Sequence, residues 1–297
     1  MVTTCSTTAA PVLDRRLHAY RDDLADDRLR GRVTASRFAA GEVFQIVTGC
    51  VPVHRAPRFD ALLDTQALLG ERLRVFERAE GWAWVQLEAD GYVGYVPDNA
   101  MVPDPRPVTH RVTSLGTFVY ATPDIKSQVL QSLGTNAGLS SIETRGAFLH
   151  LATSGYVVDR HTAPVDVAAR DFVAVAERFA GAPYLWGGKT GAGLDCSGLV
   201  QTALQAAGLD CPRDSDMQRA ALGDAVEIDA ELSGLRRGDL LFWPGHVGIM
   251  TGAANVLHAN AFHMEVAIEP VREAVARIAQ SGSVLLAVKR LARPTGV

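Results

Sequence analysis

Apolar residues recur at helical spacing through Phe172, Val173, Val175, Ala176, Phe179 and Ala180. Gly181-Ala-Pro183 interrupts the stripe, so the pattern predicts a helix that stops there. The same period returns in Leu199, Val200, Ala203, Leu204 and Ala207 and ends at Gly208. It predicts a second helix with Cys196 at or beside its N-terminus, just after a glycine-dense loop. Further on the period shortens to two. Gly238-Asp-Leu-Leu-Phe-Trp-Pro-Gly245 reads as a strand running into a tight turn, His246–Met250 as the next strand, and Asn255–Asn260 as a third after Thr251-Gly-Ala-Ala. Alternation puts His246, Gly248 and Met250 on one face, and Val256, His258 and Asn260 on one face of their own strand. If the strands pair as a hairpin, His246 and His258 can meet side by side, provided that face looks toward the Cys196 helix.

Upstream the pattern differs. Residues 14–40 alternate acidic and basic side chains around Leu17, Leu24, Leu29 and Phe38, and are expected to form an arm or short helix. Two stretches of short alternating strands follow, broken by Gly, Pro and Asp. A Pro, Leu-Gly and Gly-Tyr-Val order appears in Val51–Val96 and again in Thr117–Val157, which marks an internal duplication of small β-barrels. Pro103-Asp-Pro-Arg-Pro107 separates the copies. The expected organisation is an arm over 1–40, barrels over 41–104 and 105–165, and an α+β domain over 166–297.

Composition narrows the function classes. The 297 residues are 47% hydrophobic and 21% charged, a globular balance with a substantial core. A net charge of −4 argues against nucleic acid or an anionic membrane as the main partner. Cysteines at 5, 50, 196 and 211 show no Cys-x-x-Cys spacing, so neither a disulfide framework nor a zinc site is expected. No metal and no cofactor is implied. Cys5 has no hydrophobic run before it and no stretch is long and apolar enough to span a bilayer. The expected address is the cytoplasm.

Cys196 carries the candidate chemistry. At a helix N-terminus the unpaired N–H groups and the dipole favour an anion, so an acidic thiolate is expected there. A cysteine nucleophile also needs a base and a group that orients the base. Among eight histidines only His246 and His258 have a pattern that supplies both. Cys50 and Cys211 read as small buried hydrophobes.

Taken in order, Leu-Asp-Cys196-Ser-Gly, Arg-Gly-Asp-Leu-Leu-Phe-Trp, His246-Val-Gly-Ile and Val-Leu-His258-Ala resemble the NlpC/p60-type cysteine peptidases, papain-like enzymes that cut bacterial cell-wall peptides. The resemblance spans about residues 166–293 and implies helices packed on an antiparallel sheet. It makes Cys196 the nucleophile, His246 the general base and acid, His258 the orienting residue and Tyr184 an oxyanion-hole contributor. The upstream order is similar to a pair of bacterial SH3-like domains. Together they resemble the γ-D-glutamyl-L-diamino acid endopeptidases of murein-peptide recycling, which release L-Ala-γ-D-Glu from peptides with a free L-Ala amine. That likeness implies substrate contacts from Asp195, Ser197, Trp186 and Ser215, with Glu71 and Tyr92 of the first barrel closing the amine side. Asp195 can equally serve as a plain helix N-cap. Three other readings remain open: a hydrolase of the intact wall polymer, a non-catalytic wall-peptide-binding protein, and acyl transfer in place of hydrolysis by the same catalytic residues.

Overall fold

Over its described residues, 13–40, the arm forms short strands and a 3-10 turn and no α-helix. The computed structural model describes residues 13–292, so Cys5 lies outside the described residues. Within the arm, Leu24–Asp26 pairs in parallel with Arg37–Ala39 across a single 3-10 turn at Asp27–Leu29. Leu17, Leu24, Leu29 and Phe38 stand seven, five and nine residues apart, a spacing that makes no continuous helical stripe. The arm instead buries Ala19 and Leu24 against Phe76 and Trp84 of the first barrel.

Seven strands between Glu42 and Val102 form the antiparallel sheet of that barrel, closed around Phe44, Val51, Leu73, Val85 and Val96. The second copy splits its strands. Five between Gly116 and Val158 form one sheet, and His110–Val112 pairs with Gly138–Leu139 and Thr162–Pro164 in another. The copies touch backbone to backbone: a Cβ on Gly70 (φ +83°) would lie 2.5 Å from the Gly138 carbonyl oxygen. Only glycine suits both that conformation and that approach.

Among the described residues the C-terminal domain has four helices: α1 (Phe172–Glu177), α2 (Cys196–Ala206), α3 (Ser215–Ala221) and α4 (Val271–Gln280). Its six-stranded sheet runs in the order Asp224–Ala225, Ala287–Arg290, Leu240–Trp243, His246–Met250, Asn255–Asn260, Glu265–Pro270, and every pairing is antiparallel. α2 is central. Its Leu199, Val200 and Leu204 are fully buried against Leu240, Val247, Ile249 and Leu257, each worth roughly 1.5–3 kcal/mol of apolar transfer. α4 covers the other face, with Val271 and Ala274 on Met250 and Val256. The histidine face of the hairpin therefore looks toward α4, opposite the α2 core. Cys196 meets it at the start of the His246 strand and not across the sheet.

Candidate active site

Asp195 is the N-cap of α2, with extended backbone and a carboxylate that accepts the Gly198 N–H at 2.7 Å. Cys196 is thereby fixed as the first helical residue. Its sulfur lies 4.0 Å from the Gly245 carbonyl oxygen, and the backbone N–H groups of Val247 and Ser197 are directed at it. His246 sits between two residues whose backbones touch the sulfur. The acidic thiolate expected at this helix end is not what the structure supports. Burial pushes the thiol up to about 12 despite those donors, and burial with neighbouring His258 pushes His246 down to about 3. Desolvation drives both groups to their neutral forms, so the resting pair is thiol and imidazole.

His246 and His258 do meet. His246 Nε2 lies 2.8 Å from His258 Nδ1. The hairpin register pairs Ile249 with Leu257, so one further step sets Gly248 beside His258 and makes the histidine contact diagonal. A Cβ on Gly248 would fall 2.6 Å from Val256 Cγ2 and 3.5 Å from the His258 Cβ. The gap that the alternation leaves at Gly248 is taken chiefly by Val256 Cγ2, with the His258 Cβ beside it.

A cavity of about 240 Å³ opens beside Cys196, lined by Tyr184, Trp186, Asp195, Ser197, Asp214, Ser215 and Asp216 of this domain, Arg55, Asp64 and Tyr92 of the first barrel, and Arg16 of the arm. Burial pushes the Tyr184 phenol up to about 12, which keeps it a neutral O–H donor. Trp186 is 61% exposed and forms an outer wall. The Tyr92 hydroxyl donates to Asp214 Oδ2 at 3.2 Å.

Two expected contacts need correction. Glu71 does not line the cavity. It lies against the buried Lys189 ammonium, with Nζ 3.2 Å from Oε1, and helps bind the first barrel to the peptidase domain. Asp195 lines the cavity but its oxygens are occupied. Arg213 donates to both of them at 3.0 and 2.6 Å, and Gly187 N–H donates at 2.8 Å. Ser197 Oγ is held between Asp195 and Arg213 at 3.3 and 2.9 Å.

The acids turned toward the cavity are others, which the sequence reading missed. Arg55 answers Asp64 at 2.6 Å. Arg16 pairs with Asp214 and Asp216 of the cavity at 2.8 and 2.7 Å, and with Asp14, which does not line it, at 2.8 Å; Asp214 is also served by the Tyr92 hydroxyl and the nearby Arg213 charge. Burial raises the Asp214 carboxyl above its ordinary range, the direction expected of an under-compensated acid. Asp214 stands just before the Ser215–Ala221 helix, which the sequence pattern did not predict, and Arg16 had no signal. Among the described residues no cluster of His, Cys, Asp and Glu is arranged to hold a metal.

Comparison with known proteins identifies two segments of the chain. Residues 181–282 match the NlpC/P60 family, and residues 53–101 match the bacterial dipeptidyl-peptidase SH3 domain. The chain is a cysteine peptidase with an NlpC/P60 domain behind a bacterial SH3 domain. Among curated relatives, the γ-D-glutamyl-L-lysine dipeptidyl-peptidase of Bacillus cereus is 27% identical over 241 residues, covering 70% of this chain and 71% of the relative. Dipeptidyl-peptidase 6 of Lysinibacillus sphaericus is 26% identical, covering 74% of this chain and 89% of the relative. A crystal structure of an NlpC/P60 family protein from Bacillus cereus superposes with a TM-score of 0.70 at 22% identity, over 84% of this chain and 99% of the other. That likeness establishes the shared fold. In this NlpC/P60 peptidase the matched segments contain Cys196, His246, His258 and Tyr92, while Arg16 lies outside both.

Proposed function

We propose that this peptidase hydrolyses the bond between γ-D-Glu and a diamino acid in murein peptides with a free N-terminal L-Ala, releasing L-Ala-γ-D-Glu in cytoplasmic wall-peptide recycling. The observation that carries this reading is that Asp214 and Asp216 share the single Arg16 guanidinium in the same cavity as the nucleophile. Asp214 is the more withdrawn of the two, and a carboxylate short of counter-charge is costly to bury unless a cation answers it, as a substrate ammonium can. A peptide whose L-Ala is acylated by the sugar lactyl group brings no charge and leaves the acids unanswered, which separates free peptide from wall polymer. The name γ-D-glutamyl-L-lysine dipeptidyl-peptidase, borne by relatives from Bacillus cereus and Bacillus subtilis, supports the same bond class.

In the reaction the Cys196 thiol passes its proton to His246 as sulfur attacks the γ-carbonyl carbon. The Cys196 backbone N–H and the Tyr184 hydroxyl stabilise the oxyanion. Collapse of the tetrahedral intermediate expels the diamino-acid amine, which takes the proton from His246 and leaves a thioester. His246 then deprotonates a water that attacks the thioester, and the proton returns to sulfur as the dipeptide leaves.

The test is mass-spectrometric detection of L-Ala-γ-D-Glu from L-Ala-γ-D-Glu-diaminopimelate and from its sugar-linked counterpart. Release from the free peptide, absent in Cys196→Ala, is expected. Equal rates on both substrates would overturn the recycling reading.

A further inference from the structure

The imidazole pair does not end at His258. His258 Nε2 lies 2.7 Å from Glu269 Oε1, and Glu269 in turn accepts a hydrogen bond from Arg277 of α4. In the sheet register His258 faces Ala267, and Val256 faces Glu269, so the Glu269 contact is again diagonal. Small residues stand directly beside His258 on both neighbouring strands, Gly248 on one and Ala267 on the other. Each leaves room for a longer side chain two positions along its strand, His246 and Glu269, to reach the ring. Around the pair stand Glu269, Arg277 and His263, the last with Nδ1 3.0 Å from Asn260 Oδ1 and 4.0 Å from Glu269 Oε1. The Trp243 ring flanks His246 with centroids 5.6 Å apart.

We infer that Glu269 is a positioning residue that sets the tautomer of both histidines, and so decides which nitrogen of His246 faces the thiol. The inference rests on His246 being the base of the proposed reaction. A carboxylate held by Arg277 is ionised and can only accept, so His258 Nε2 carries the hydrogen. His258 Nδ1 is then a lone pair, and the 2.8 Å contact to it requires the hydrogen of His246 on Nε2. His246 Nδ1 is left as a lone pair, the form a general base needs. Replacing Glu269 by a group that can either donate or accept releases every step of this chain.

Nitrogen-15 NMR of the full-length protein labelled at histidine reads the tautomers without substrate. Both rings are expected to carry hydrogen on Nε2; a His258 protonated on Nδ1 would overturn the inference. The Glu269→Gln variant, shown to be folded by its thermal melt, is expected to lose about 10- to 100-fold in kcat at unchanged KM, the range typical of residues that orient a reacting ligand. The acid limb of its pH–rate profile should move to lower pH, because an imidazolium loses its counter-charge. Wild-type kcat with an unmoved limb in folded Glu269→Gln would also overturn the inference. If the wild-type enzyme fails to cut the free peptide, the substrate reading falls, and the tautomers still decide the role of Glu269.

Discussion

The guanidinium of Arg213 grips both oxygens of Asp195, and both side chains are withdrawn from solvent. The same guanidinium donates to Thr65 Oγ1 of the first barrel at 2.8 Å. The residue before the nucleophile therefore fastens the start of α2 to a neighbouring domain. Removing one partner of such a pair strands a buried charge, at about 3–5 kcal/mol. Asp195→Asn is expected to lose stability in that range by urea unfolding, and the double variant Asp195→Asn with Arg213→Met less than Asp195→Asn alone. A single variant as stable as wild type would mean that Asp195 is free for substrate after all.

Amine recognition shifts accordingly to Asp214. A hydrogen bond to a charged group contributes about 1.5–3 kcal/mol, or roughly 10- to 100-fold in binding. Asp214→Asn is expected to raise KM for the free-amine tripeptide by that factor while kcat changes little. Cleavage of an N-acetylated tripeptide, poor in wild type, should be unaffected. Equal losses on both peptides would show that Asp214 supports the fold of the site and not the amine.

The pH dependence follows from burial. His246 is pushed below the ordinary imidazole value of about 6.5, so it remains an unprotonated base as pH falls through that value. Steady-state kcat at saturating substrate is expected to hold below pH 6.5 and to fall only toward pH 3, while kcat/KM falls earlier, as the raised Asp214 carboxyl protonates and loses the substrate ammonium. Over the same window the unfolded chain binds protons that the folded site refuses, so stability declines as pH falls below about 6.5. Rates are therefore best read well below the melting temperature. The thiol moves the other way, up to about 12, so iodoacetamide labelling of Cys196 in free enzyme should keep rising above pH 8. A labelling plateau in mild acid would instead establish a resting thiolate.

How much of this could be read in the chain depends on the range of the contacts. The nucleophile helix, its end at Gly208 and the three strands behind it are set by local periodicity, and the structure forms them where the pattern places them. The histidine pairing was legible because a two-residue period and a short turn nearly determine register. Local pattern cannot say which acid faces the cavity. Asp195 and Asp214 look alike in sequence, and only Arg213 and Arg16, the latter 198 residues from Asp214, distinguish a neutralised carboxylate from an under-compensated one. The acidic thiolate failed for a related reason. A helix N-terminus is a local signal, whereas the desolvation that outweighs it comes from distant segments closing over the sulfur. Glu269 was hidden as one acid at the end of a mostly ordinary strand, and its partners come from another strand and from α4.

Gly248 offers the sharpest test of the diagonal arrangement. It has no positive φ to satisfy, so alanine is barred only by space. An added Cβ at 2.6 Å from Val256 Cγ2 must displace that side chain and, with it, push outward the Asn255–Asn260 strand that carries His258, whose own Cβ at 3.5 Å makes only an ordinary contact. Overpacking of this kind costs about 1–3 kcal/mol, which a domain of this size survives. The 2.8 Å contact between the imidazoles does not. Gly248→Ala is expected to fold, to bind the dipeptide product as wild type does because the Asp214 end is untouched, and to lose kcat at least tenfold. If that variant turned over at the wild-type rate, the two histidines would not depend on the empty position between them, and the diagonal relay would be wrong.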